Sequence, residues 1–152
     1  MTTVNFHNLE RAEKDRAVCR LAHQYYEGGR KVLVLVGSEE QAKRLDALLW
    51  TFSQSSFIPH RTWDDGSDPG LDRVLIARDQ KRPEDFDVLI LGAPASPPFL
   101  RNFTEVADFA EKHDPELLAE SRKRYKECQA AGLSVRFVQK PLEVTSDSSS
   151  EE

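Results

Sequence analysis

The run Lys31 to Gly37 (KVLVLVG) constrains this chain more than any other stretch. A strand that is apolar at every position must be covered on both faces, which is the signature of a parallel sheet sandwiched between helices. The flanking sequence supplies those helices. Upstream, Val18, Leu21, Ala22 and Tyr25 fall at i, i+3, i+4 and i+7, the spacing of one buried helical face. Gly28 and Gly29 end that helix, because glycine enters the left-handed C-terminal conformation without steric cost. Downstream, Ser38 with Gln41 three residues on reads as a capping box, followed by the apolar face Ala42, Leu45, Leu48, Leu49 and Phe52.

The remainder repeats the alternation. Thr2 to Phe6 reads as a short first strand, and Phe57 to Arg61 as an extended piece kept from the sheet interior by Pro59. Asp64 to Asp72 reads as a turn-rich loop, and Arg73 to Ala77 and Asp87 to Gly92 as two further apolar strands. Ala93 to Pro98 (APASPP) is expected to be a surface loop, and Phe103 to Phe109 a half-buried strand. Asp114 and Pro115 open a helix that Gly132 ends, and Leu133 to Val138 forms the last strand. The pattern predicts one α/β domain over residues 1–140, a three-layer α/β/α Rossmann-like sandwich with a mainly parallel sheet. Residues 141–152 lack any apolar period and read as a disordered, acidic, Ser-rich tail.

Composition narrows the function classes. A chain of 152 residues is long enough to bury a substantial core. A membrane span needs about 20 apolar residues, and the longest clean run here is Val32 to Val36. No basic-plus-apolar leader opens the sequence, and two cysteines are too few for a disulfide framework. The expected setting is therefore the cytoplasm, with no membrane contact. The net charge of −5 speaks against a general nucleic-acid binder. Much of that charge is local: Glu143, Asp147, Glu151 and Glu152 leave 22 of the 26 acids against 21 bases in the body.

No catalytic constellation emerges. The Gly37 turn lacks the glycines of a dinucleotide fingerprint and the GK[ST] of a phosphate loop, and Glu39 and Glu40 there would repel a phosphate. The four histidines form no zinc-binding pair. Cys128 lies in a basic helix that could favour its thiolate, but it also falls on the apolar side one turn from Tyr125, where it would be buried filler. The expectation is a non-enzyme with no cofactor and no metal.

A binding surface remains. Arg122 to Lys126 (RKRYK) sets four cations within five residues, and Arg122 and Lys126 share one helical face. Two cations beside an apolar pocket suit a short acidic peptide; the alternative is a plain solvated face. Trp50, Phe57 and Trp63 lie in or beside an irregular connection, which suggests either a protein contact, stacking on single-stranded nucleic acid, or cover for the sheet end.

Taken together, GGRKVLVLVGSEEQAKRLDALLW, SFIPH, FTEVADF and RKRYKECQAAG resemble the chi subunit family of bacterial DNA polymerase III, in order and spacing, from Val4 to Val138. The resemblance implies a non-catalytic accessory subunit of the clamp-loader complex with a Rossmann-like fold. It implies that Arg122 and Lys126, bordered by Tyr125 and Phe109, bind the acidic C-terminal tail of single-stranded DNA-binding protein. It implies a second interface, for the psi subunit or an XPD-like DNA-repair helicase, around Phe57, Trp50, Pro59 and His60. Little direct DNA binding is expected. Leu118 stands where some members have a third basic residue, which is expected to weaken or reorient tail binding. The chain's own acidic tail is a candidate competitor for the same site.

Overall fold

The computed structural model describes residues 2–51, 59–63 and 72–138. Along the chain the elements are β1 (Thr3–Leu9), α1 (Lys14–Glu27), β2 (Val32–Leu35), α2 (Glu39–Thr51), β3 (His60–Thr62) and β4 (Val74–Ala77). There follow β5 (Val88–Leu91), α3 (Pro97–Leu100), β6 (Glu105–Glu111), α4 (Pro115–Ala130) and β7 (Ser134–Val138). The seven strands form one sheet in the order β3-β4-β2-β5-β6-β1-β7, and every pairing is parallel.

Strand parity divides the core in two. On β2, Val32 and Val34 face α1 and α2, together with Val74, Ile76, Val88, Ile90 and Phe109 from neighbouring strands. Leu33 and Leu35 face the other way, into a cluster with Phe6, Phe86, Phe99, Phe103 and Cys128. Helices on both sides give the expected three layers, and the double burial of β2 follows from its lack of polar positions.

Local chemistry fixes the helix ends. At the end of α1, Gly29 takes φ +81°, and the amide of Arg30 donates to the carbonyl of Tyr25 at 3.0 Å. The end of α4 repeats this with Gly132 at φ +84° and the amide of Leu133 bonded to Cys128 O. Both are Schellman closures, in which glycine supplies the left-handed residue. Gly28, by contrast, has φ −81° and needs no special freedom. At the start of α2, Ser38 Oγ accepts from the Gln41 amide at 3.1 Å. Gln41 does not return the bond to Ser38: its Oε1 accepts from the Gly37 amide, and its Nε2 donates to Gly92 O.

Three expectations need correction. Ala93 to Pro98 is not wholly a loop, because Pro97 begins α3; proline's fixed φ suits a first helical position. The strand expected at Phe103 starts at Glu105 and is buried on both faces between β5 and β1. Its polar residues mimic a solvent-facing alternation, yet Asp108 and Glu111 are buried because cations meet them. The first strand also runs three residues past Phe6 and sits inside the sheet, paired to β6 and β7. As Pro59 requires, β3 is an edge strand. Phe52, residues 64–71 and the tail at 141–152 lie outside the described residues.

Candidate functional site

Helix α4 begins at Asp114, whose Oδ1 accepts from the amides of Glu116 and Leu117 at 2.8 and 3.3 Å. This cap and the glycine closure at the other end fix the helix over β6, β1 and β7. Its cations then separate into two populations. Arg124 points inward: Nε donates to Asp108 Oδ2 at 2.9 Å and Nη2 to Asp108 Oδ1 at 3.1 Å. Arg124 Nη2 also lies 3.9 Å from Glu111, which Lys14 approaches at 3.5 Å. Asp108 holds the guanidinium charged despite its burial.

Arg122, Lys123 and Lys126 point outward, are exposed, and make no ion pair with any described residue. So the basic run is not one patch of four. Three residues remain for a ligand, and the fourth bolts the helix to the sheet.

Beside the outward cations lies a cleft of about 460 Å³. Phe6, Ala110, Leu118, Tyr125 and Phe137 give it an apolar lining, and Lys112, Arg122 and Lys126 supply the charge. The rings of Phe6 and Tyr125 pack at 5.1 Å between centroids, tilted by 53°. Lys112 Nζ stands 5.4 Å from the centroid of Phe137, an edge-strand ring that is 39% exposed. The cleft can take an apolar side chain while offering three cations to an anion beside it.

Arg122, Lys126 and Tyr125 meet here as a group. Phe109 does not join them. Side chains alternate along β6, so Ala110 faces the cleft while Phe109 is fully buried on the α1 and α2 side. Leu118, read as a missing cation, is part of the apolar lining. Phe6, Lys112 and Phe137 went unnoticed in the sequence. Leu118, Ser121, Arg122, Tyr125 and Gln129 do carry a signal, since their i, i+3, i+4, i+7 and i+11 spacing marks one helical face.

The second group is only partly described. Trp50, on the last turns of α2, is 52% exposed, and its ring lies 4.7 Å from that of His60. His60 is buried, with Nε2 at 3.1 Å from Asp46 Oδ1 and 3.1 Å from the Asp46 carbonyl oxygen. Pro59 is half-buried, and Phe57 lies outside the described residues. Trp63 is buried in the core on the α4 side, so it forms no stacking platform with Trp50.

The places weighed for enzyme chemistry are occupied by structure. The Gly37 amide, which a phosphate would need, is held by Gln41. Cys128 is buried, and burial pushes its thiol up to about 11, away from the thiolate. Among the described residues no three His, Cys, Asp or Glu side chains gather as for a metal, and no helix is long and apolar enough to cross a membrane.

Known proteins share this layout in sequence. A family model described as DNA polymerase III chi subunit, HolC, matches residues 1–136. The chain is 36% identical over 122 residues to the DNA polymerase III subunit chi of Escherichia coli (strain K12), which is 80% of this chain and 82% of that one. It is 29% identical over 121 residues to the subunit chi of Haemophilus influenzae, covering 80% and 83% of the two chains. The subunit chi of Pseudomonas aeruginosa is 26% identical over 129 residues, covering 83% and 88%. With nearly the whole fold matched, this chain belongs to the DNA polymerase III chi subunit family.

Proposed function

We propose that this chain is a non-catalytic adaptor of the replicative polymerase, binding the acidic C-terminal tail of single-stranded DNA-binding protein in the cleft beside α4. The observation that carries the reading is the cleft itself, where an apolar lining adjoins Lys112, Arg122 and Lys126. A peptide with carboxylates next to an apolar end matches both halves. Charge-assisted contacts add strength, and the ring-lined cleft adds an anchor. The inward pairing of Arg124 favours the same reading, because it holds the helix without using the outward cations.

Calorimetric titration with the tail peptide tests this. Lys126→Glu should weaken binding at least tenfold while the circular dichroism spectrum and melting temperature stay unchanged. Unchanged affinity in that variant would overturn the site.

The exposed Trp50 supports a second contact, with the psi subunit, at the end of α2. Trp50→Ala should abolish co-purification with psi and leave tail binding intact. Retained co-purification would remove Trp50 from that interface.

A further inference from the structure

We propose that the acidic segment at residues 139–152 of this chain folds back onto the cleft beside α4 and competes there with outside ligands. This deepens the reading of that cleft as an acidic-peptide site and rests on it. Three observations converge.

The first is position. Phe137 is a wall of the cleft, and the last described residue, Val138, follows it directly. The segment therefore starts at the site. At roughly 3.3 Å per extended residue, the four steps from Val138 to Leu142 reach about 13 Å. The cleft-lining part of α4, from Leu118 to Gln129, is about 16 Å long at 1.5 Å per residue. Residues 142–152 can cover it without strain.

The second is complementarity. Residues 141–152 contain Glu143, Asp147, Glu151 and Glu152 and no Lys or Arg, and Leu142 and Val144 flank the first of these acids. Apolar residues interleaved with carboxylates are what the cleft selects. On its side, Arg122 and Lys126 make no ion pair with any described residue.

The third is tethering. A short linker holds a segment at an effective concentration on the order of millimolar. Even a contact too weak to detect between separate molecules then fills the cleft for part of the time. The chain thereby sets a threshold: an outside peptide must displace the internal one, and raising salt loosens both.

The test uses the full chain. A nitroxide placed at Ser149→Cys should label selectively, because Cys19 and Cys128 are buried. At low salt the signals of Leu118, Tyr125 and Phe137 should broaden, and those of Trp50 should not. The broadening should vanish in about 0.5 M salt, where screening is short-ranged. It should also vanish when Glu143→Gln, Asp147→Asn, Glu151→Gln and Glu152→Gln are combined. Absence of salt-reversible broadening would overturn the proposal. So would broadening that appears only between separately labelled chains, which would assign the contact to a second copy.

In a parallel titration, the four-fold variant should bind an acidic peptide with an apolar end about two- to fivefold more tightly than the wild type at low salt. Equal affinities would overturn the competition. If neither protein bound the peptide while the label still broadened the cleft, the internal contact would stand and the proposed function would fall.

Discussion

Arg124 grips Asp108 through two bonds, Nε to Oδ2 at 2.9 Å and Nη2 to Oδ1 at 3.1 Å, with both side chains largely shielded from water. Asp108 Oδ1 also accepts from the Phe109 amide at 2.7 Å, which ties the pair to the backbone of β6. Removing one partner of such a buried pair leaves the other charge uncompensated, a loss of about 3–5 kcal/mol. Arg124→Ala and Asp108→Ala should each lower stability by that order in urea denaturation. The double variant Asp108→Ala/Arg124→Ala should be less destabilised than the two single losses combined, because no charge is left stranded. A double variant showing simple additivity would mean the two residues act independently.

Leu118 lines the cleft beside Arg122. Replacing it by lysine adds a cation at the rim. An exposed pair contributes roughly 0.2–1 kcal/mol, so Leu118→Lys should tighten acidic-peptide binding by about 1.5- to fivefold at low salt. The gain should disappear at high salt, where exposed charges are screened. Weaker binding in Leu118→Lys would instead show that the apolar surface of Leu118 matters more to the ligand than another charge.

Burial lowers the pKa of His7 below 6.5, against the opposing pull of Glu105 and Asp108. Both ring nitrogens lie buried without a hydrogen-bond partner among the described residues. The folded state therefore binds the proton less readily than the unfolded state. By linkage, His7 costs no stability above pH 6.5, and its penalty grows as pH falls from there through the folded-state pKa. Denaturation midpoints measured across that window should fall with acid in the wild type and fall less in His7→Leu. Equal slopes would remove His7 as a source of acid sensitivity.

Burial also raises both thiols, Cys19 to about 12 and Cys128 to about 11. The reactive thiolate is thus scarce near neutral pH. Ellman's reagent at pH 8 should modify the native protein slowly and titrate two thiols only after unfolding. Prompt reaction of one thiol in the native state would show that its site opens more readily than the packing suggests.

The frame of the fold was legible because its rules are local. The all-apolar β2 dictated a covered parallel strand, Ser38 and Asp114 capped their helices, and Gly29 and Gly132 closed them. What escaped was non-local. Arg124 and Asp108 are both charged, and a single sequence does not show that they meet across 16 positions. In the structure Ser121 and Cys128, at i−3 and i+4 from Arg124, are buried on the side of the helix from which Arg124 reaches the sheet. Alternation grouped Val106, Asp108 and Ala110 on one face of β6 and Phe109 on the other. Nothing local said which face α4 would cover, and that choice removed Phe109 from the cleft.

The cleft draws its walls from both ends of the sequence: Phe6 from β1, Phe137 from β7, and Ala110 from β6. Strands β1 and β7 are neighbours in the sheet although some 130 residues separate their partnered positions, such as Phe6 and Phe137. During synthesis from the N-terminus, β1 has to wait for β6 and β7 to emerge before it can pair, while β2, β4 and β5 already have one another. A truncated nascent chain can therefore assemble half a sheet, but it has no finished cleft. The surface that α4 forms with these strands is complete only once β7, which carries Phe137, has been made.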